Sequence, residues 1–224
     1  MFRQGSSLAG PTGASAPLAQ RASDDALRQP AVQHLPDRIE IPTLMVALAI
    51  YAGFGLLTWF HAALPWWILL PFGGYIVAWH GSLQHEVLHG HPTPSALANE
   101  LLVLPNLWLW MPFRLYRDSH LAHHDDAYLT DPRQDPETYY LDAETWAAAG
   151  PLTRAFLRAH NTLAGRLLLG PLRCLWLFWS SEAQRLLRGD TSHLKAWAIH
   201  GLGVALVLTW GITVCGLPLW TYLL

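Results

Sequence analysis

Residues 41–60 read IPTLMVALAIYAGFGLLTWF and contain no Asp, Glu, Lys or Arg. As an α-helix, a stretch of this length spans about 30 Å, the thickness of the hydrocarbon core of a bilayer. A short link, residues 61–63, leads to a second uncharged run at residues 64–84, where Trp66 and Trp67 stand at the position of an interfacial aromatic belt. The two runs together predict a transmembrane helical hairpin.

The composition of the whole chain agrees with an embedding in lipid. Of the 224 residues, 52% are hydrophobic and only 13% are charged, and twelve are tryptophan. We therefore predict an all-α integral membrane protein with one domain over residues 37–224. Residues 1–36, rich in Ala, Gly, Ser, Pro and Gln, predict a disordered tail. The formal net charge of -2 and the lack of a dense basic patch give no reason to expect a nucleic-acid partner.

The distribution of basic residues predicts the orientation of the hairpin. All fourteen Lys and Arg residues lie before Ile41 or between Arg114 and Lys195, so both regions are expected on the cytoplasmic side. The link of the hairpin then faces outward, and the second helix returns to the cytoplasm near Gln84.

Three further segments complete the predicted topology. Residues 101–113 are apolar but too few to cross the bilayer, and two prolines interrupt them, which predicts a re-entrant or interfacial segment. Residues 154–187 mix apolar residues with arginines and are expected to form helices on the cytoplasmic interface. Residues 196–224 carry no charged side chain and predict a further C-terminal crossing, with its end marked by Pro218.

Five histidines occupy two short strings, HEVLH at residues 85–89 and HLAHH at residues 120–124. On a helix, positions four apart lie on the same face, so the first and last histidine of each string present two imidazoles to one point. Imidazole is a ligand for iron, zinc and copper, and two such clusters beside a membrane boundary favour metal binding over ordinary packing. The predicted metal ligands are His85, His89, His120, His123 and His124.

The first string also fits the H-E-x-x-H signature of zinc metallopeptidases, in which the glutamate is the general base. Under this alternative Glu86 would activate water, and a third zinc ligand would come from further along the chain. The second string argues against it, because three more histidines exceed the needs of one catalytic zinc. A metal site shared by both strings is therefore the preferred interpretation.

Other polar residues near the strings are predicted to orient the ligand imidazoles or to hydrogen-bond close to the site, with solvated charges or packing as the alternative. They are His80, Glu86, His91, Asp118, Asp125 and Asp126. The later histidines, His160, His193 and His200, are interpreted as structural or surface residues.

The two histidine strings resemble the first and second histidine boxes of the membrane fatty acid desaturase family, in both order and spacing. Residues 129–132, LTDP, followed by DPE at residues 135–137, are similar to the acidic segment after the second box in bacterial members. The resemblance extends from about Ile41 to the end of the chain.

This resemblance implies a four-helix membrane base with a cytoplasmic cap of histidine-bearing helices, in a bacterial cytoplasmic membrane. It also implies two non-haem iron ions as cofactors and dioxygen as co-substrate, used to introduce a double bond into an acyl chain. The expected partners are a membrane lipid or other acyl substrate and an electron donor such as a ferredoxin or a cytochrome b5-type protein. In such a fold, Trp108 and Trp110 line an acyl tunnel or anchor the chain at the interface.

The sequence departs from the family pattern in one respect. Members carry a third histidine box, usually His-x-x-His-His, after the last membrane helices, and residues 125–224 contain no further string of this kind. We therefore expect the domain at residues 37–224 to be incomplete at its C-terminus. Di-iron hydroxylases of lipids, carotenoids or alkanes, and a non-catalytic remnant, stay open as alternative functions.

Overall fold

The computed structural model describes residues 35–124, 129–133, 135–138 and 140–223. Within these ranges the regular structure is helical and contains no strand, so the predicted all-α class is confirmed. The predicted disordered tail lies outside the described residues except for its last two positions. The helices are α1 (Ile41–Trp59), α2 (Trp66–Leu88), α3 (Ala96–Leu102), α4 (Phe113–His124), α5 (Ala143–Ala148), α6 (Pro151–His160), α7 (Leu163–Leu168), α8 (Gly170–Leu187), α9 (Leu194–Leu208) and α10 (Leu219–Leu223).

Helices α1 and α2 form the predicted hairpin, joined through a 3-10 turn at His61–Ala63. Near the turn, the Cβ position of Gly73 lies 3.6 Å from Leu57. Further from the turn, the hydroxyl of Tyr51 lies 3.2 Å from Nε2 of His80. Residue numbers therefore rise along one helix as they fall along the other, which is the antiparallel arrangement that a short link dictates.

Within the described part of the chain, two helical stretches are long and apolar enough to cross a membrane, Ile41–Trp59 and Leu194–Val214. In each stretch, only 22% of an 18-residue apolar segment is buried inside the protein, so most of its side chains face outward. This exposure differs from that of a core helix in a soluble protein and is consistent with a membrane protein. Helix α2 is 23 residues long, but its Trp, Gly and His residues make it less apolar, and its crossing remains a prediction.

The end of the last apolar helix contacts the end of α1. A π-helical turn, Thr209–Val214, extends α9, and Nε1 of Trp210 in this turn donates a 2.9 Å hydrogen bond to Oγ1 of Thr58 near the end of α1. The helix ends before Gly216, whose φ of 69° is readily adopted by glycine. The break therefore falls two residues before Pro218, where the sequence predicts it.

Residues 103–112 adopt no regular helix and fold back between α2 and α9. The buried amide of Asn106 organises this segment: its Oδ1 accepts from Nε2 of Gln84 at 3.1 Å, and its Nδ2 donates to Nδ1 of His200 at 3.2 Å. The same Nδ2 also donates to the carbonyl of Met111. Because these bonds reach both neighbouring helices, they fix the path of the chain into α4.

Helices α6, α7 and α8 expose large apolar side chains. Leu152, Leu163 and Leu187 are 85%, 77% and 86% exposed, and arginines punctuate the same segment. An amphipathic surface of this composition is what an interfacial helix presents to lipid headgroups and acyl chains. The location of these helices on the membrane surface remains a prediction.

Substitution of Gly203 by alanine is expected to destabilise the packing of α9. A Cβ at this position would overlap the carbonyl oxygen of Leu104, a backbone atom that has little room to move. Overpacking of this kind typically costs about 1–3 kcal/mol. Gly201, on the same helix, has no atom within 4 Å of a Cβ, so Gly201→Ala is the matched control. Thermal unfolding in detergent micelles measures both, and equal stability of the two variants would contradict this packing.

Candidate metal centre

The two histidine strings lie where the C-terminal end of α2 meets α4. His85 is on the last turn of α2, and His89 caps its C-terminus. Gly90 follows with a φ of 102°, so the chain turns away immediately after the second histidine. In α4, His120 and His124 occupy the last turns and face α2.

Four imidazoles converge at this junction. The ring centroids of His85 and His120 are 4.7 Å apart, and those of His89 and His124 are 4.9 Å apart. One ligand nitrogen from each of His85, His89, His120 and His124 lies within 4.8 Å of the other three. The expected meeting of the two strings at one point is therefore present, and we call these four residues the histidine quartet.

His123 lies beside the histidine quartet and is not part of it. Its ring centroid is 6.0 Å from that of His120 and 5.7 Å from that of His124. Its Nδ1 donates a 2.8 Å hydrogen bond to Oδ1 of Asp135. Its role as a metal ligand stays a prediction.

Two carboxylates that sequence reasoning did not single out contact the histidines of α4. Glu137 accepts a hydrogen bond from Nδ1 of His120 at 3.1 Å, and Asp135 accepts the bond from His123. Both belong to the DPE segment noted in the sequence, which was the one available signal. Because the segment is irregular, no period predicted which way its side chains point.

Asp135 is a buried carboxylate, with a side chain only 1% exposed. Burial alone raises the pKa of such a group, but hydrogen bonds from the backbone N–H of Thr130, from His123 and from the backbone N–H of Glu137 together lower the pKa of Asp135 below its ordinary value. The carboxylate is therefore ionised at neutral pH and holds His123 through a charge-assisted bond.

The pKa values of two histidines in the quartet are lowered. Burial is the largest cause for His89, followed by the nearby rings of His85, His124 and His120. For His124, burial again comes first, followed by His120, His123 and His85. These two imidazoles are thus neutral at neutral pH, and neutral imidazole is the form that binds a metal.

Three predicted orienting residues lie away from the quartet or make only distant contact with it. His91 pairs through Nδ1 with Glu40 at 2.9 Å. Asp118 bonds to its neighbour Arg117, at 2.8 Å from Nη2. Glu86 has a half-exposed side chain, and its carboxylate is 3.8 Å from Nδ1 of His85, beyond hydrogen-bond distance.

The other predicted orienting residues are His80, Asp125 and Asp126. His80 is fully buried in α2 and contacts Tyr51, while its Nδ1 has no described hydrogen-bond partner. Asp125 and Asp126 lie outside the described residues.

The later histidines occupy structural positions. Both ring nitrogens of His200 are hydrogen-bonded, Nδ1 to Asn106 and Nε2 to the carbonyl of Leu109 at 3.1 Å. Nδ1 of His193 bonds to Glu182 at 2.9 Å. His160 is buried beside Phe156. None of the three belongs to the quartet.

A comparison with protein-family models shows which family the chain belongs to. Residues 59–224, which include both histidine strings, match the model of the family described as fatty acid desaturase. The chain belongs to the fatty acid desaturase family. No curated protein and no solved structure matches it. Membership assigns a desaturase-type function at the level of the family.

The donor set of this desaturase-family chain fits a metal ion. Because Nδ1–H of His120 is bonded to Glu137, its Nε2 carries the free lone pair, and that atom lies 3.0 Å from Nε2 of His124. Four imidazoles around one point suit iron, zinc or copper.

His120→Ala is expected to weaken metal binding strongly. Loss of a group that only orients a ligand typically costs roughly 10–100-fold in affinity, and removal of a ligand nitrogen itself should cost more. His61→Ala is the control, because His61 lies at the turn of the hairpin and bonds to the carbonyl of Thr58. Equilibrium dialysis against Zn²⁺ and Fe²⁺, read by elemental analysis, compares them. Wild-type affinity in His120→Ala would show that the quartet is not the binding site.

Proposed function

We propose that the chain is a membrane-bound di-iron fatty acid desaturase that uses dioxygen to introduce a double bond into an acyl chain. The observation that carries this proposal is the convergence of four imidazoles from both histidine boxes in a chain of the desaturase family. Removal of hydrogen from an unactivated C–H bond requires a strong oxidant, which amino-acid side chains do not supply. Bound iron supplies it from dioxygen when a ferredoxin or cytochrome b5-type partner delivers electrons.

The chain's own residues hold and shield the metal in this proposal. The histidine quartet provides ligands for one iron, and His123, beside the quartet, is the proposed ligand of the second together with donors outside the quartet. The rings project from two helix ends that pack against each other, so the packing of α2 on α4 sets the distance between the two histidine strings. The bond from Nδ1 of His120 to Glu137 additionally orients one ring of the quartet.

A run of aromatic rings leads away from the quartet and is the proposed wall of the acyl path. Tyr116 lies 5.7 Å from His120 by ring centroids, and Trp108 lies 5.7 Å from Tyr116. Trp110 stacks on Trp108 at 5.5 Å. Large aromatic surfaces exclude water from a site while offering apolar contact to an acyl chain. Anchoring at the membrane interface is the alternative role of Trp108 and Trp110.

A lipid hydroxylase would use the same site, and only the product separates the two reactions. In a desaturase the acyl chain loses two hydrogens, whereas in a hydroxylase it gains an oxygen. Family membership favours the desaturase.

The activity test uses the full chain reconstituted in lipid nanodiscs and loaded with Fe²⁺ without oxygen. Oxygen consumption is then followed with a reductant and acyl-CoA or acyl-lipid substrates, and products are identified by mass spectrometry. We expect reductant-dependent oxygen uptake and an acyl product lacking two hydrogens, both abolished in His89→Ala. A hydroxylated product would assign the hydroxylase instead. Iron binding without oxygen uptake would identify the chain as non-catalytic.

We also propose that the quartet and helices α6–α8 lie on the cytoplasmic side. The chain has two cysteines, and Cys174 in α8 is exposed, so Cys215→Ser leaves a single reporter there. We expect a membrane-impermeant maleimide to label Cys174 in inverted vesicles and not in intact cells. A cysteine introduced as His61→Cys, with both native cysteines replaced by serine, should show the opposite pattern. Labelling of Cys174 from outside would overturn the proposed orientation.

A further inference from the structure

The acidic loop, residues 129–133 and 135–138, presents carboxylates to two histidines of α4. Glu137 bonds to Nδ1 of His120 at 3.1 Å, and Asp135 bonds to Nδ1 of His123 at 2.8 Å. A neutral imidazole carries one N–H, and a carboxylate can only accept. In the neutral form of each ring, the contact therefore places the one proton on Nδ1 and leaves the lone pair on Nε2.

The acidic loop is folded around Asp135. The carboxylate accepts hydrogen bonds from the backbone N–H groups of Thr130 and Glu137, each at 2.8 Å, besides the bond from His123. The hydroxyl of Thr138 donates to the carbonyl of Thr130 at 3.1 Å and closes the loop. Since these bonds surround a side chain that is almost fully buried, they fix the direction in which Glu137 points.

The carboxylate of Glu137 forms its ion pair with a histidine of the quartet. Among the described residues its side chain pairs with His120 alone, at 3.1 Å. Glu144, by contrast, pairs with Arg133 at 3.1 Å, the ordinary arrangement of a surface acid. In the described contacts, no Lys or Arg pairs with the carboxylate of Glu137. Its position is therefore better explained by the bond to His120 than by a surface ion pair.

We propose that Asp135 and Glu137 are positioning residues of the metal centre: they select the Nδ1–H tautomer of His123 and His120 and so direct Nε2 of both rings towards metal. The inference deepens the proposed function and rests on its metal site. A carboxylate behind a ligand imidazole also raises the basicity of the ring and offsets positive charge brought by the ion. The orientation of the rings in the second histidine string thus depends on residues up to 17 positions away in sequence.

The test compares Glu137→Gln with Glu144→Gln, which removes the same charge from a nearby glutamate that contacts no histidine in the described structure. A glutamine can turn its NH₂ group towards Nδ1, which favours the opposite tautomer and places a proton on Nε2. We expect Glu137→Gln to weaken Zn²⁺ and Fe²⁺ binding by roughly 10–100-fold, measured by competition with a chelator. Glu144→Gln should bind like the wild type.

A second readout does not depend on metal. ¹⁵N NMR of the metal-free chain, labelled at histidine, reports which nitrogen of each ring is protonated. We expect the Nδ1–H form of His120 in the wild type and in Glu144→Gln, and a shift towards Nε2–H in Glu137→Gln. Asp135→Asn should change His123 in the same way. A structural role alone would leave these tautomers unchanged in Glu137→Gln.

The outcomes separate the two proposals. If the wild type binds neither metal, the proposed function fails, while the tautomer of His120 still tests the acidic loop. If the wild type binds metal and Glu137→Gln matches it in affinity and tautomer, the positioning role is overturned and the metal site stands.

Discussion

The hydrogen bonds of Asn106 are the constraint on which the arrangement of the metal centre depends. Its amide is 2% exposed and joins Gln84 of α2, His200 of α9 and the carbonyl of Met111 just before α4 begins. A buried amide left without partners costs several times what one hydrogen bond contributes, so these bonds hold the segment strongly. Once that segment is fixed, the start of α4 is fixed, and α4 carries its histidines back to the end of α2.

Four imidazoles held together are a cost to the folded chain unless something binds them. Each ring disfavours protonation of its neighbours, which is one reason why the pKa values of His89 and His124 are lowered. The Nε2 atoms of His120 and His124 lie 3.0 Å apart, at hydrogen-bond distance, so without a metal one of these rings donates to the other. A metal ion at the centre would instead take one nitrogen lone pair from each of the four rings. This geometry is the reason for proposing the quartet as a ligand set.

The sequence predicted the parts of this arrangement that have a period. Uncharged runs of helical length predicted the α1–α2 hairpin, and the spacing of four predicted that His85 and His89 share a face. The contacts of Asp135 and Glu137 with the histidines were not predicted, because both residues lie in an irregular loop without a repeating pattern. His91 was predicted to orient a ligand imidazole or to hydrogen-bond close to the site, and its described partner, Glu40, lies 51 residues earlier. Pairings of that separation are set by tertiary packing, which local patterns do not encode.

One face of helix α2 carries both a packing contact with Trp108 and the two histidines of the first string. Gly81, His85 and His89 are four residues apart and lie one above another on it. A Cβ at Gly81 would overlap the indole of Trp108, so the glycine lets that ring lie directly on the helix, one turn before His85. Trp108 is also fixed by a 2.9 Å bond from its Nε1 to the carbonyl of Val77. The size of residue 81 therefore sets how closely Trp108 and the rings packed on it approach the first histidine string.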